Sequence, residues 1–184
     1  GMAIPFGVDA ICVLLGAVLV SRIATTVAPV VPAERRHIRH EIADGARWLW
    51  HHPPVRALAL TIFAFNVTFG MTFGLYVLLA KERLGLDDLG YGLLLTVAAI
   101  GGIAGSVAYP ALERRFALAT LMRAGLLLET MTHLIFAVTT SPIVAAATML
   151  LFGVHETIWG TTSTTVRQRT VPSSFLGRVT SVYM

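Results

Sequence analysis

The sequence predicts an all-α fold, a polytopic bundle of transmembrane helices, and three observations carry that prediction. The chain of 184 residues is 55% hydrophobic and only 13% charged, whereas an ordinary soluble domain carries roughly a quarter charged residues. Its mean hydropathy is +0.74, and the apolar residues come in blocks long enough to cross a bilayer, which takes about 20 residues of helix. The Lys and Arg residues collect in the connections between those blocks. A net charge of +4 distributed in this way is a topology signal and not a nucleic-acid-binding patch.

Five spans follow in order. Ala3 to Val20 is apolar apart from Asp9; no basic region precedes it and an Arg cluster follows it, so it reads as a retained helix and not a signal peptide. Ala57 to Ala80 holds only small or neutral polar residues such as Asn66, Thr68 and Thr72, and Gly90 to Leu112 is rich in glycine. Leu118 to Val138 contains Arg123, Glu129 and His133, while Ile143 to Thr162 contains His155 and Glu156. A sixth apolar stretch begins at Val179, and its six residues to Met184 cover only ~9 Å as a helix, too little to span.

Orientation comes from the connections. Arg22 to Arg56 carries six basic residues, and the next two connections on the same side carry three each (Arg114, Arg115, Arg123; Arg167, Arg169, Arg178), against Lys81 and Arg83 alone on the other side. Twelve against two puts the Arg-rich side in the cytoplasm. The chain therefore divides into a first helix over 1–21, a cytoplasmic linker over 22–56, four spans over 57–163, and a loop with the start of a further helix over 164–184. Within the linker, Ile38, Ile42, Ala46 and Leu49 fall near helical spacing with Trp48 and Trp50 beside the membrane. That pattern reads as an interfacial amphipathic helix, ended by Pro53 and Pro54, or as a charged loop with two Trp anchors.

Enzyme signatures are absent: there is no Gly-x-Ser-x-Gly elbow, His-Glu-x-x-His helix or phosphate-binding Gly-rich loop. Cys12, the single cysteine, permits neither an internal disulfide nor a Cys-based metal site. His37, His40 and Glu41 read as a solvated polar face, so no metal and no organic cofactor is expected.

Three stretches resemble one family. Glu41 to Leu58, with Asp44-Gly45-Ala46-Arg47, two Trp, His52-Pro53 and Arg56, is similar to the entry into the seventh helix of the enterobactin-exporter-like branch of the major facilitator superfamily. Tyr91-Gly92-Leu93-Leu94-Leu95, then Gly101, Gly102 and Gly105, then Leu112-Glu113-Arg114-Arg115-Phe116, resembles the eighth helix and the basic loop after it, although Ala117 stands where that loop has Gly. Arg167 to Pro172 followed by Gly177-Arg178-Val179 resembles the connection between the tenth and eleventh helices, and Pro5 to Ala10 looks like the start of the sixth. The resemblance implies half of a twelve-helix secondary transporter, helices six to ten with a truncated eleventh, working by alternating access with a missing N-terminal half. Membrane lipid, a small-molecule substrate and protons are the implied partners, in a bacterial inner membrane.

Ionisable groups inside a membrane cost about 2.5–3.5 kcal/mol at mid-span, so each calls for a partner or a watery cavity. Asp9 lies near a span end. Glu129 and His133 stand four apart on one helix face, as a structural pair or a proton-sharing one. The family's tenth helix lines its central cavity, which makes His155 and Glu156 the stronger candidates for a coupling proton; the alternative is a Glu156 paired with Arg167 or Arg169. Asn66 and Trp159 are candidate cavity contacts, and Arg114, Arg115 and Arg178 candidate gating residues. Gly101 and Gly105, with Gly102 and Ser106, present small faces that allow either close packing or sliding.

The expected function is a proton-coupled exporter of amphipathic molecules such as drugs or siderophores. A non-transporting scaffold would show the same spans without a cavity. A membrane-embedded enzyme would need Glu129, His133, His155 and Glu156 to converge.

Overall fold

The computed structural model describes residues 3–23 and 38–180, all of whose regular elements are helical. They form two units. The first is α1 (Ala3–Ser21), an apolar helix along which Phe6, Ile11, Leu15 and Leu19 are exposed; Asp9 is exposed too.

The second unit holds α2 (Ile38–His51), α3 (Pro53–Leu78), α4 (Asp88–Arg115), α5 (Leu118–Val138), α6 (Pro142–Thr170) and α7 (Ser173–Thr180). Four helices here are long and apolar enough to cross a membrane: α3 with its extension to Arg83, α4, α5 and α6. Residues 24–37 of the Arg-rich segment, and those after Thr180, lie outside the described residues.

Helix boundaries follow local chemistry. Pro53 and Pro54 end α2 and open α3, since a first turn has no need of their missing N–H groups. At its far end α3 widens into a π-helical turn, Leu79–Arg83, where Leu84 N–H donates to Leu79 O at 3.0 Å. Gly85, at φ 66°, then reverses the chain in a backbone conformation that costs other residues. Asp87 caps α4 by accepting from Gly90 N–H at 2.8 Å. Ser141 accepts from Val144 N–H at the start of α6, and Pro142 occupies its first turn.

Packing is tightest between α4 and α6. A Cβ on Gly101 or Gly153 would collide with the main-chain oxygen of Leu150 or Ala98 respectively, and one on Gly105 would stand 2.6 Å from Val154 O. Backbone thus rests on backbone along the seam, the close-packing reading of the glycine pattern. One end of this seam is stapled, where the Arg169 guanidinium meets Glu113 Oε1 at 2.8 Å; elsewhere Arg83, on the extension of α3, donates to Ala137 O at 2.8 Å at the end of α5.

Between α3, α4, α5 and α6, Tyr76, Leu94, Phe136, Ala145, Met149 and Phe152 form the apolar core. α2 is helical as its spacing predicts and packs through Leu49 against Val55, Val171 and Val179. Trp48 stacks on His52 with ring centroids 3.7 Å apart and reaches Phe175 of α7, whereas Trp50 is exposed beneath the Arg56 guanidinium.

Candidate functional site

Glu129 sits mid-way along α5 and turns toward α6. The residue is 9% exposed, a burial that an ionisable group tolerates only with partners. His155 of α6 supplies one, bringing Nε2 to 3.0 Å from Glu129 Oε2; His133, one turn along α5, stands with Nδ1 3.3 Å from Oε1, an oxygen buried without a hydrogen bond among the described residues. His133 Nδ1 also lies 3.0 Å from the Glu129 main-chain oxygen; a carbonyl only accepts, so this nitrogen carries the proton and donates. The outer nitrogens, His155 Nδ1 and His133 Nε2, are buried without a hydrogen-bond partner among the described residues.

Gly125 makes this meeting possible. A Cβ at that position would lie 2.6 Å from Trp159 Cδ1 and 3.1 Å from His155 Nδ1, so only a residue without a side chain lets both rings lie against α5.

On the other side of His155 opens a cavity of about 350 Å³ between α3, α5 and α6. Its wall gathers Asn66 and Phe65 from α3, Glu129 from α5, and His155, Glu156, Trp159 and Arg167 from α6. With Gly160, Ser163 and Thr164, the α6 contributors fall in adjacent pairs that repeat every four residues up to Arg167, so one broad helix face carries them all. Phe65 and Trp159 stack with centroids 6.4 Å apart. Glu156 makes no hydrogen bond or ion pair among the described residues: Arg169 is held by Glu113, and Arg167 donates to Thr164 Oγ1 at 3.1 Å. A second cavity of about 340 Å³, almost wholly apolar, lies between α4, α5 and α6 and is also lined by His155.

Of the residues singled out in the sequence, Glu129, His155, Glu156, Asn66 and Trp159 thus share one cavity, and His133 stands behind it on Glu129. Arg114 and Arg115 lie exposed in the last turn of α4, away from it. Arg178 falls on α7 with its side chain outside the described set, as are His37 and the Glu41 side chain. Among the described residues no group of three His, Cys, Asp or Glu side chains could hold a metal ion.

Sequence reasoning missed the Glu129–His155 bond, which joins positions 26 residues apart, and the roles of Gly125 and Phe65. Glycine at 125 beside Glu129 was the available signal, since a small residue one turn from a buried charge marks a close helix approach.

Comparison with curated proteins and with solved structures returns no match. Over residues 1–184 the sequence matches the family described as transmembrane secretion effector. Spans, packing and family match agree, and the chain belongs to the transmembrane secretion effector family of major facilitator transporters as a multi-pass membrane protein.

Proposed function

We propose that the chain is about half of a proton-coupled exporter of amphipathic small molecules, of the enterobactin-exporter-like branch, working in a bacterial inner membrane. In this reading α1 and α3 to α6 are the sixth to tenth helices of the transporter and α7 leads into the eleventh. Alternating access then comes from rocking against a first half that completes the cavity wall.

The observation that carries the proposal is the α3–α5–α6 cavity, which a mere scaffold has no need of. An unpaired carboxylate at Glu156, beside Asn66 and Trp159, gives such a cavity a group able to load and release a proton. Glu129, bridged by His155 and His133, is a second proton-holding unit in direct contact with the same wall. α5 and α6 do face one another, so the polar set converges; we assign it to proton transfer and not to catalysis, since it includes no activated nucleophile.

Replacement of Glu156 by Gln in the full-length parent tests this. The Gln side chain mimics the protonated state, so insertion and substrate exchange are retained while gradient-driven transport into vesicles is lost. Normal gradient-driven transport by Glu156→Gln removes Glu156 from the mechanism.

A further inference from the structure

We propose that the apolar groove between α4 and α5 holds an acyl chain of one anionic phospholipid, whose phosphate bridges Arg115 and Arg123 on the two lips of the groove. The hollow comes from the way three helices meet. α4 and α5 each pack along α6 but scarcely touch one another, which leaves the cleft of about 340 Å³ between them. α6 floors it with Leu151 and Val154, and α5 sets its wall back with Ala124 and Gly125. Phe116, Ala124 and Leu151 are exposed, so the cleft is open on its outer side. Its apolar lining calls for an apolar occupant, and its size falls within the roughly 300–1,000 Å³ of small-molecule sites.

Basic charge stands on both lips. On α4, Leu112 and Phe116 line the groove, and Arg115 lies about 60° round the helix from Leu112, on the side away from Glu113, which turns to Arg169 of α6. On α5, Thr120 lines the groove, and Arg123 lies about 60° beyond it, farther from the α6 contact. Both arginines are exposed and bond nothing among the described residues. Arg123 comes five residues after Leu118, about 7.5 Å along the helix, and a long Arg stem carries its guanidinium back to headgroup level. Glu113 is the sole acidic residue between Leu112 and Leu128, and Arg169 engages it, so the charge of the lips stands uncompensated.

Groove and charge together select the occupant. Guanidinium matches phosphate in geometry as well as charge, and basic clusters beside a membrane span attract anionic lipid. A zwitterionic lipid would fill the groove but bring its own cation to the arginines. Soluble phosphate would meet the arginines and leave the groove empty. An anionic phospholipid uses both, and it ties α4 to α5, which are otherwise joined chiefly through α6.

Native mass spectrometry of the full chain, released from detergent micelles, counts bound lipid in separate titrations with dioleoylphosphatidylglycerol, dioleoylphosphatidylcholine and glycerol phosphate. The first phosphatidylglycerol is expected to bind at least about tenfold tighter than phosphatidylcholine, and glycerol phosphate, a headgroup without chains, is expected not to bind. Arg115→Gln with Arg123→Gln should bring the two lipids level, whereas Arg39→Gln with Arg47→Gln, an equal loss of charge on α2, keeps the preference. Ala124→Phe puts a ring into the groove and should weaken both lipids about tenfold. Equal binding of the two lipids by the unsubstituted protein overturns the proposal, as does a preference that survives loss of both lip arginines or disappears equally in the α2 control. Glycerol phosphate that displaces the lipid would make the lips a plain anion site, and unchanged lipid affinity in Ala124→Phe would empty the groove of its role; either result also overturns it. Should Ala124→Phe fail to fold, the glycerol phosphate titration still decides whether the chains are needed.

Discussion

Glu129 shows how one residue can set the terms for its neighbours. Removing the donor that faces a buried carboxylate leaves that carboxylate uncompensated, which costs about 3–5 kcal/mol. His155→Leu is therefore expected to lower the resistance of the detergent-solubilised protein to unfolding by an amount of that order. Glu129→Gln keeps an acceptor for His155 and should cost only about 1 kcal/mol. Thermal melts of the two variants side by side check this, and equal losses would show that the pair's charge is immaterial. Position along the span was legible in the sequence: Glu129 and His133 four apart on one face, Glu156 inside the last long span. The rotation of α5 against α6 was not, because a helix with apolar residues on every side gives periodicity little to register.

At the scale of the element, spans were read well where polar chemistry brackets them and less well where helix continues past the apolar block. Leu118–Val138 is the same in sequence and structure because Ala117 and Thr139 adopt extended conformations at its ends. α6 instead runs on to Thr170 through a stretch of Thr and Arg residues, since a helix leaving the membrane needs no further apolar side chains to keep its hydrogen bonds. That continuation is what sets Arg167 on the cavity-lining face. The α4–α6 seam yields a sharper expectation. Gly153→Ala would press a methyl group onto the Ala98 carbonyl, and overpacking of this kind costs about 1–3 kcal/mol. Gly160→Ala, on the same helix with nothing within 4 Å, should melt unchanged or slightly higher, because alanine favours helix. A control as damaging as Gly153→Ala would mean that the seam is not special.

For the whole molecule, the sidedness of the connections makes a prediction that needs no transport. With Cys12 replaced, a cysteine at Asp88 is labelled from outside the cell and one at Ser174 only from the cytoplasm; labelling of both from one side contradicts the charge rule. Exposed apolar residues of α3, among them Phe63, Val67, Met71 and Leu75, require lipid or another protein surface, so the protein should precipitate when detergent is withdrawn. The glycine seam has a mechanical consequence. Where carbonyl oxygens of one helix fill the space that side chains would take on the other, neither axial travel nor rotation about the helix axis is available without first prising the backbones apart. α4 and α6 then behave as a single spar, and a load applied at Glu156 is carried to Tyr109 and Glu113 at the C-terminal end of α4.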